Sequence, residues 1–208
     1  MFQDRYDAAN QLALALKQYQ NNPDVIILAI PRGGLELGFV LAEQLKAPLD
    51  VVFAKKIGAP NNPEYAIGAL TLHEQEIDPR FMDVSMQDYI DQETERIRTL
   101  LKKRYQEYRG QKLALDLHNK IVIVVDDGVA TGRTVKLALK EVKQFKPKKL
   151  ILAVPVGAPD TIKELEKYAD EVVCLQKAEL FFAVGQFYDQ FPQVDDQEAI
   201  RLLHKAND

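Results

Sequence analysis

Two kinds of apolar pattern alternate along this chain. In one, aliphatic residues run without a polar break, as in Val25-Ile-Ile-Leu-Ala-Ile30 and Val122-Ile-Val-Val125. Such runs read as strands buried on both faces of a parallel sheet. Leu49 to Ala54, Lys149 to Val154 and Glu171 to Leu175 read as further strands. In the other pattern, apolar residues return every three or four positions, the period of an amphipathic helix. Residues 4 to 19 carry Leu12, Leu16 and Tyr19 at that spacing, with Ala8, Ala9 and Ala13 between, and Asn21-Asn-Pro23 ends the pattern. Glu36 to Lys46, Gly132 to Phe145 and Asp160 to Tyr168 are predicted helices. A long charged helix is predicted from Ser85 to Gly110. Met86, Ile90, Ile97, Leu101 and Tyr108 form its stripe, and Gly110 is its stop. Asp195 to His204 closes the chain as a helix, with Asp195 and Glu198 spaced like a capping box. Three segments fit neither pattern. Ile57 to Asn62 is loop-like, rich in Gly, Pro and Asn. Ala66 to Leu72 and Glu76-Ile77 predict a short hairpin. Gln176 to Gln193 is aromatic-rich and irregular.

Strands alternating with helices predict an α/β fold around a parallel sheet. The strand–helix–strand units imply right-handed crossovers. The 208 residues are one or at most two domains' worth. Hydrophobic residues make up 47% and charged residues 28%, a globular balance. The net charge of -4 argues against a general nucleic-acid or membrane-surface role, so an anionic ligand needs a local basic site. The single cysteine, Cys174, allows no internal disulfide and reads as a buried small hydrophobe. His73, His118 and His204 are scattered and form no zinc spacing with it. Met1-Phe-Gln-Asp-Arg-Tyr6 carries no apolar signal-peptide region, and no apolar stretch reaches 18 residues. A cytoplasmic protein is expected.

The candidate chemistry centres on Val122-Ile-Val-Val-Asp-Asp-Gly-Val-Ala-Thr-Gly-Arg-Thr134. A buried strand runs into two adjacent carboxylates, Asp126 and Asp127. They fall at its carboxyl end, where open α/β sheets bind ligands. Gly128, Thr131, Gly132 and Thr134 then offer backbone N–H groups and hydroxyls at a helix N-terminus, which suits a phosphate. Carboxylates for a diol beside a phosphate loop suggest a sugar phosphate. A Walker B strand would look alike up to Asp127, but it needs a Gly-x-x-x-x-Gly-Lys-Ser/Thr loop, and the chain has none. A receiver-domain acidic pocket does not predict the loop that follows.

This segment closely resembles the signature of type I phosphoribosyltransferases. That signature has four hydrophobics, two acids and a small-residue loop ending Thr-Gly-x-Thr. The resemblance implies a Rossmann-like parallel core over about residues 24–175 of a single domain, 1–208. It also implies a helical insertion at about 78–118 and a small hood at about 176–194, with the N-terminus a possible contributor. It further implies phosphoribosyl pyrophosphate as donor, a nucleobase-like acceptor, magnesium (Mg2+) as cofactor and a homodimer. Neither nucleic acid nor membrane is expected as a partner. Asp126 and Asp127 would hold the ribose hydroxyls, directly or through magnesium. The loop Gly128, Val129, Ala130, Thr131, Gly132, Arg133 and Thr134 would cradle the 5-phosphate.

Other segments fit that scheme. Pro31-Arg-Gly-Gly34 follows the first strand directly. Its glycines permit close approach or positive φ, and Arg32 offers a fork of donors. The family holds pyrophosphate here, with Arg32, Gly33 and Gly34 in that role, and often has a non-proline cis peptide. Alone, the segment would also suit a tight turn with a solvated arginine. Lys55-Lys56 closes the second strand, where the family commonly has a basic dipeptide for pyrophosphate. Two solvated charges are the plainer alternative. Ile57-Gly-Ala-Pro-Asn-Asn-Pro-Glu-Tyr65 has the composition of a hinged lid. Phe181-Phe-Ala-Val-Gly-Gln-Phe-Tyr-Asp189 looks like a segment of 6-oxopurine phosphoribosyltransferases. That likeness implies that Phe182 stacks on a base and that Asp189 helps hold magnesium. A packing cluster and a turn aspartate are the alternatives.

The chain departs from that subfamily at Ala130, where the 6-oxopurine enzymes carry a carboxylate. Its whole layout looks most like the small stand-alone phosphoribosyltransferases predicted in bacteria. Transfer to a nitrogenous base is the expected activity, and a non-catalytic regulator that binds phosphoribosyl pyrophosphate is the alternative.

Overall fold

The computed structural model describes residues 1–208, the side chain of Glu64 excepted. Five strands form an all-parallel sheet in the order β2-β1-β6-β7-β8. They are β1 (Val25–Ala29), β2 (Leu49–Val51), β6 (Ile121–Val125), β7 (Lys149–Gly157) and β8 (Glu171–Lys177). The apolar runs form β1 and β6 because both faces are covered. Val25, Ile27 and Ala29 enter one core with Ile121, Ile123 and Val125. Ile26 and Leu28 enter the opposite core with Val122 and Val124. The first core lies under α1 (Arg5–Ala15), α2 (Gly34–Leu45), α3 (Val84–Arg109) and α6 (Asp196–Lys205). The second lies under α4 (Arg133–Gln144) and α5 (Pro159–Leu165). This is the predicted doubly covered α/β sheet.

Register matters most at one place. Ala29 of β1 pairs with Val125 of β6. The strands therefore end level, and the segments from Ile30 to Gly34 and from Asp126 to Gly132 start side by side.

Ile57 to Asn62 corrects the loop expected there. Lys55–Ala59 is β3, Asn62–Leu70 is β4 and Gln75–Ile77 is β5, in a separate antiparallel sheet. Ala59 pairs with Asn62, so only Pro60 and Asn61 make the turn. The glycine and prolines that read as loop belong to an irregular strand pair. A methyl on Gly58 would lie 2.4 Å from the Pro63 carbonyl oxygen, so the glycine admits the partner backbone. Thr71 and Leu72 lie in the turn of the β4–β5 hairpin, beyond the end of β4 at Leu70, and the strand partners otherwise match the expected segments.

β2 stops at Val51, short of the Ala54 expected, so Lys55-Lys56 opens β3 in the small sheet instead of closing the second strand. Three further differences are small. β7 runs on through Pro155 to Gly157, past the Val154 expected as its end. The Asp195 side chain caps α6 by accepting from the Glu198 N–H at 2.8 Å. The Glu198 carboxylate binds Arg201 instead of completing a capping box. Cys174 is half-buried, its thiol directed to the Gln176 carbonyl, and burial pushes that thiol up.

Candidate functional site

Asp126 and Asp127 extend β6 into the space above the sheet. The Asp126 carboxylate turns back and accepts from the Asp127 N–H at 2.9 Å. The Pro31–Gly34 loop packs directly against the pair. A methyl on Gly33 would stand 1.9 Å from Asp127 Oδ2, and one on Gly34 would stand 2.8 Å from the Val125 carbonyl. The two glycines are therefore spacers for the acidic strand end. Neither has positive φ, so of the two roles expected for them close approach holds, here to the acidic strand end. The Pro31–Arg32 peptide bond is cis.

Arg5 completes this centre, and nothing in the local motif announced it. Its Nε donates to Asp127 Oδ2 at 2.8 Å. Its Nη1 donates to Glu36 Oε2 at 3.2 Å and to the Pro192 carbonyl at 2.7 Å. The guanidinium also lies 3.7 Å from the centre of the Phe191 ring. Arg5 is 5% exposed. One signal was available: Arg5 falls three and four residues before Ala8 and Ala9, on the apolar face of its helix. A buried charge calls for a partner. Tyr188 is a second unforeseen member, its hydroxyl donating to the Asp127 carbonyl at 2.5 Å.

Burial raises both carboxylates, and the neighbouring Asp127 raises Asp126 further. Arg5 opposes the shift at Asp127. The negative charge therefore settles on Asp127, against its arginine, and Asp126 is the member that keeps a proton more readily.

The phosphate loop divides into structural and available parts. Gly128 and Val129 are buried. The Val129 N–H donates to the Val156 carbonyl at 2.9 Å, and its carbonyl accepts from Ala158. Val129 is thus a core residue with a committed amide, a correction to its place among the ligand contacts. Ala130 and Thr131 are exposed, and Gly132 caps α4 in the left-handed region at φ 70°. Thr134 is half-buried in the first turn of α4. Arg133 donates to the Ala66 carbonyl at 3.3 Å and lies 4.0 Å from Asp78, so it is drawn to the β-hairpin. Thr131, Gly132 and Arg133 open on a cavity of about 680 Å³ shared with Arg80, Lys136 and Thr161. A second cavity, of about 280 Å³, lies between Arg32, Gly33, Arg5 and the Phe191–Val194 segment.

The remaining expected residues are placed as follows. Lys55 faces α3, where burial and the nearby Arg104 and Arg96 hold its ammonium below the usual lysine range. Lys56 is exposed, and its side chain leaves β3 on the opposite face. The lid expected beyond them is the β3–β4 hairpin itself. Phe182 is 84% exposed, while Phe181 packs on Phe187 with ring centres 4.9 Å apart. Asp189 is exposed, and its N–H donates to the Phe2 carbonyl. The structure does not gather Asp189 with Asp126 and Asp127. Among the described residues no three His, Cys, Asp or Glu side chains form a metal-binding group. The hood segment instead joins the N-terminus, Phe2 bridging to Tyr188.

A profile of the phosphoribosyl transferase domain matches residues 2–192. The chain belongs to this family. A solved structure from Thermus thermophilus is 37% identical, with a TM-score of 0.81 and 98% of each chain covered. The family match and the five-stranded parallel sheet together show the type I phosphoribosyltransferase fold. A Mycobacterium tuberculosis protein provisionally described as a phosphoribosyl transferase is 38% identical over 213 residues. That match takes in all of this chain and 47% of the relative, so the chain spans about half the length of the curated relatives it matches. A uracil phosphoribosyltransferase of Aquifex aeolicus shares 35% identity over 57 residues, 27% of either chain. No helix of this family member is long and apolar enough to cross a membrane.

Proposed function

We propose that this protein transfers the phosphoribosyl group of phosphoribosyl pyrophosphate to a nitrogenous base and releases pyrophosphate. The observation that carries this reading is the level ending of β1 and β6. It starts the Pro31–Gly34 loop and the Asp126–Asp127 pair side by side, with the phosphate loop following directly from the acids. In the reaction the bond from ribose C1 to the pyrophosphate oxygen breaks, and the oxygen keeps the electron pair. A base nitrogen forms the new bond with its lone pair and then loses its proton to solvent. Little covalent help is needed, so positioning and charge stabilisation do most of the work.

Each group has a part in that scheme. Asp127, ionised against Arg5, and Asp126 accept from the ribose hydroxyls. Thr131, Gly132 and Thr134 take the 5-phosphate at the α4 N-terminus. Arg32 takes the leaving pyrophosphate, with Lys55 near it. Phe182 offers its exposed ring to the base.

Magnesium fits only in part. One oxygen of each aspartate is already engaged, by Arg5 and by the Asp127 N–H, and no third ligand converges among the described residues. The free oxygens suit an ion that arrives on the diphosphate, since Mg2+ keeps waters and uses few carboxylates. Bound there, it would screen the diphosphate charge beside Asp126 and Asp127. The acceptor is a base that does without a loop carboxylate, given Ala130.

The test is an incubation with phosphoribosyl pyrophosphate, magnesium and a panel of nucleobases, read by nucleotide and pyrophosphate release. Turnover on one base is expected. Tight binding with no turnover on any base would replace the transferase with a ligand-sensing regulator. Asp127→Asn is expected to weaken phosphoribosyl pyrophosphate binding about ten-fold, the scale of a lost charged hydrogen bond. Unchanged affinity by calorimetry would remove Asp127 from the site.

A further inference from the structure

Arg32 is not alone at its end of the loop. Its Nη1 lies 3.9 Å from Asp196 Oδ2, and Nη2 of Arg104, from the last two turns of α3, lies 3.6 Å from the same oxygen. The other Asp196 oxygen accepts from the Tyr108 hydroxyl at 2.6 Å. Tyr108 is fully buried, so Asp196 is held from behind. Lys55 belongs to the same neighbourhood, because Arg104 is among the charges that suppress its ammonium. Arg96 adds little net charge there, being paired with Glu93 by hydrogen bonds from both Nε and Nη2. Two arginines from separate segments thus share one carboxylate, and the Lys55 ammonium lies close enough to Arg104 to feel its charge.

Stability does not explain this arrangement. Arg32, Arg104 and Asp196 have side chains 37%, 34% and 44% exposed. Exposed ion pairs of this length contribute roughly 0–1 kcal/mol. Both arginines stand beyond hydrogen-bond distance of Asp196, so their N–H groups are not spent on it. Neither guanidinium makes a hydrogen bond among the described residues. Unspent guanidinium forks, an ammonium and a single fixed carboxylate are the complement of an anion with more oxygens than a carboxylate has.

We propose that Arg104 is a substrate-binding residue of the diphosphate subsite, and that Asp196 holds the place of the diphosphate in the free protein. This rests on the phosphoribosyl-transfer reading. An incoming diphosphate takes the donors of Arg32 and Arg104 and leaves Asp196 to Tyr108. Arg104 raises diphosphate affinity, and Asp196 opposes it.

Calorimetry with inorganic pyrophosphate, with and without magnesium, tests this on the full chain. Arg104→Gln is expected to weaken pyrophosphate about ten-fold, Arg104→Lys less, and Asp196→Asn to tighten it several-fold. Asparagine still accepts from Tyr108, so thermal unfolding should stay near that of the parent and separate affinity from folding. Wild-type binding that neither Arg104→Gln nor Asp196→Asn changes would overturn the inference and leave the transfer reading intact. No binding of either pyrophosphate or phosphoribosyl pyrophosphate by the wild type would overturn both.

Discussion

Asp127 is held by both its side chain and its backbone. Gly33 leaves it room, Arg5 holds its oxygen, and Tyr188 holds its carbonyl. Arg5 also neutralises Glu36, which burial would otherwise raise unopposed. Its replacement by methionine preserves bulk and strands two carboxylates. Breaking a buried pair in this way costs about 3–5 kcal/mol. Arg5→Met should therefore lower the urea midpoint strongly, and Arg5→Lys should recover part of the loss. A midpoint within error of the wild type would show that Asp127 and Glu36 rehydrate freely. The carboxylates and the phosphate loop were legible because 13 contiguous residues carry them. Arg5, Tyr188, Arg104 and Asp196 were not, because their meaning comes from distances between elements far apart in the chain.

Among the elements, the buried strands were the plainest to read. β1 and β6 have a single composition along their whole length, and burial on both faces demands it. The hairpin was harder, since Gly58 and Pro63 carry loop character and yet sit in paired strands. Periodicity reports how often apolar groups recur, not how closely two backbones approach. α3 was read to its last residue because its stop is conformational. Gly110 has φ 61° and ψ -121°, with nothing within 4 Å of where a methyl would stand. Gly110→Ala should thus cost about 1 kcal/mol from backbone strain alone. Circular dichroism melts would register it as a fall of a few degrees. A stabilising effect would mean that the α3 terminus rearranges.

The molecule as a whole is one large sheet and one small one. The parallel sheet is covered on both faces, and its central amides are shielded by two cores. The β3-β4-β5 sheet leans on α3 and α4 and leaves Tyr65 and much of the hairpin turn exposed. Local opening follows such differences. In native-state hydrogen exchange, the amides of β1 and β6 should outlast those of β3 and β5 by a wide margin. Equal protection would make the two sheets one cooperative unit. Synthesis proceeds from the N-terminus, so Arg5 can meet Asp127 long before Pro192 exists to accept its second bond. The carboxylate end of the site is then drawn together early, and its wall at Phe191–Val194 is added last. Arg5 and Asp127 are thus both made well before the Phe191–Val194 segment that walls them in.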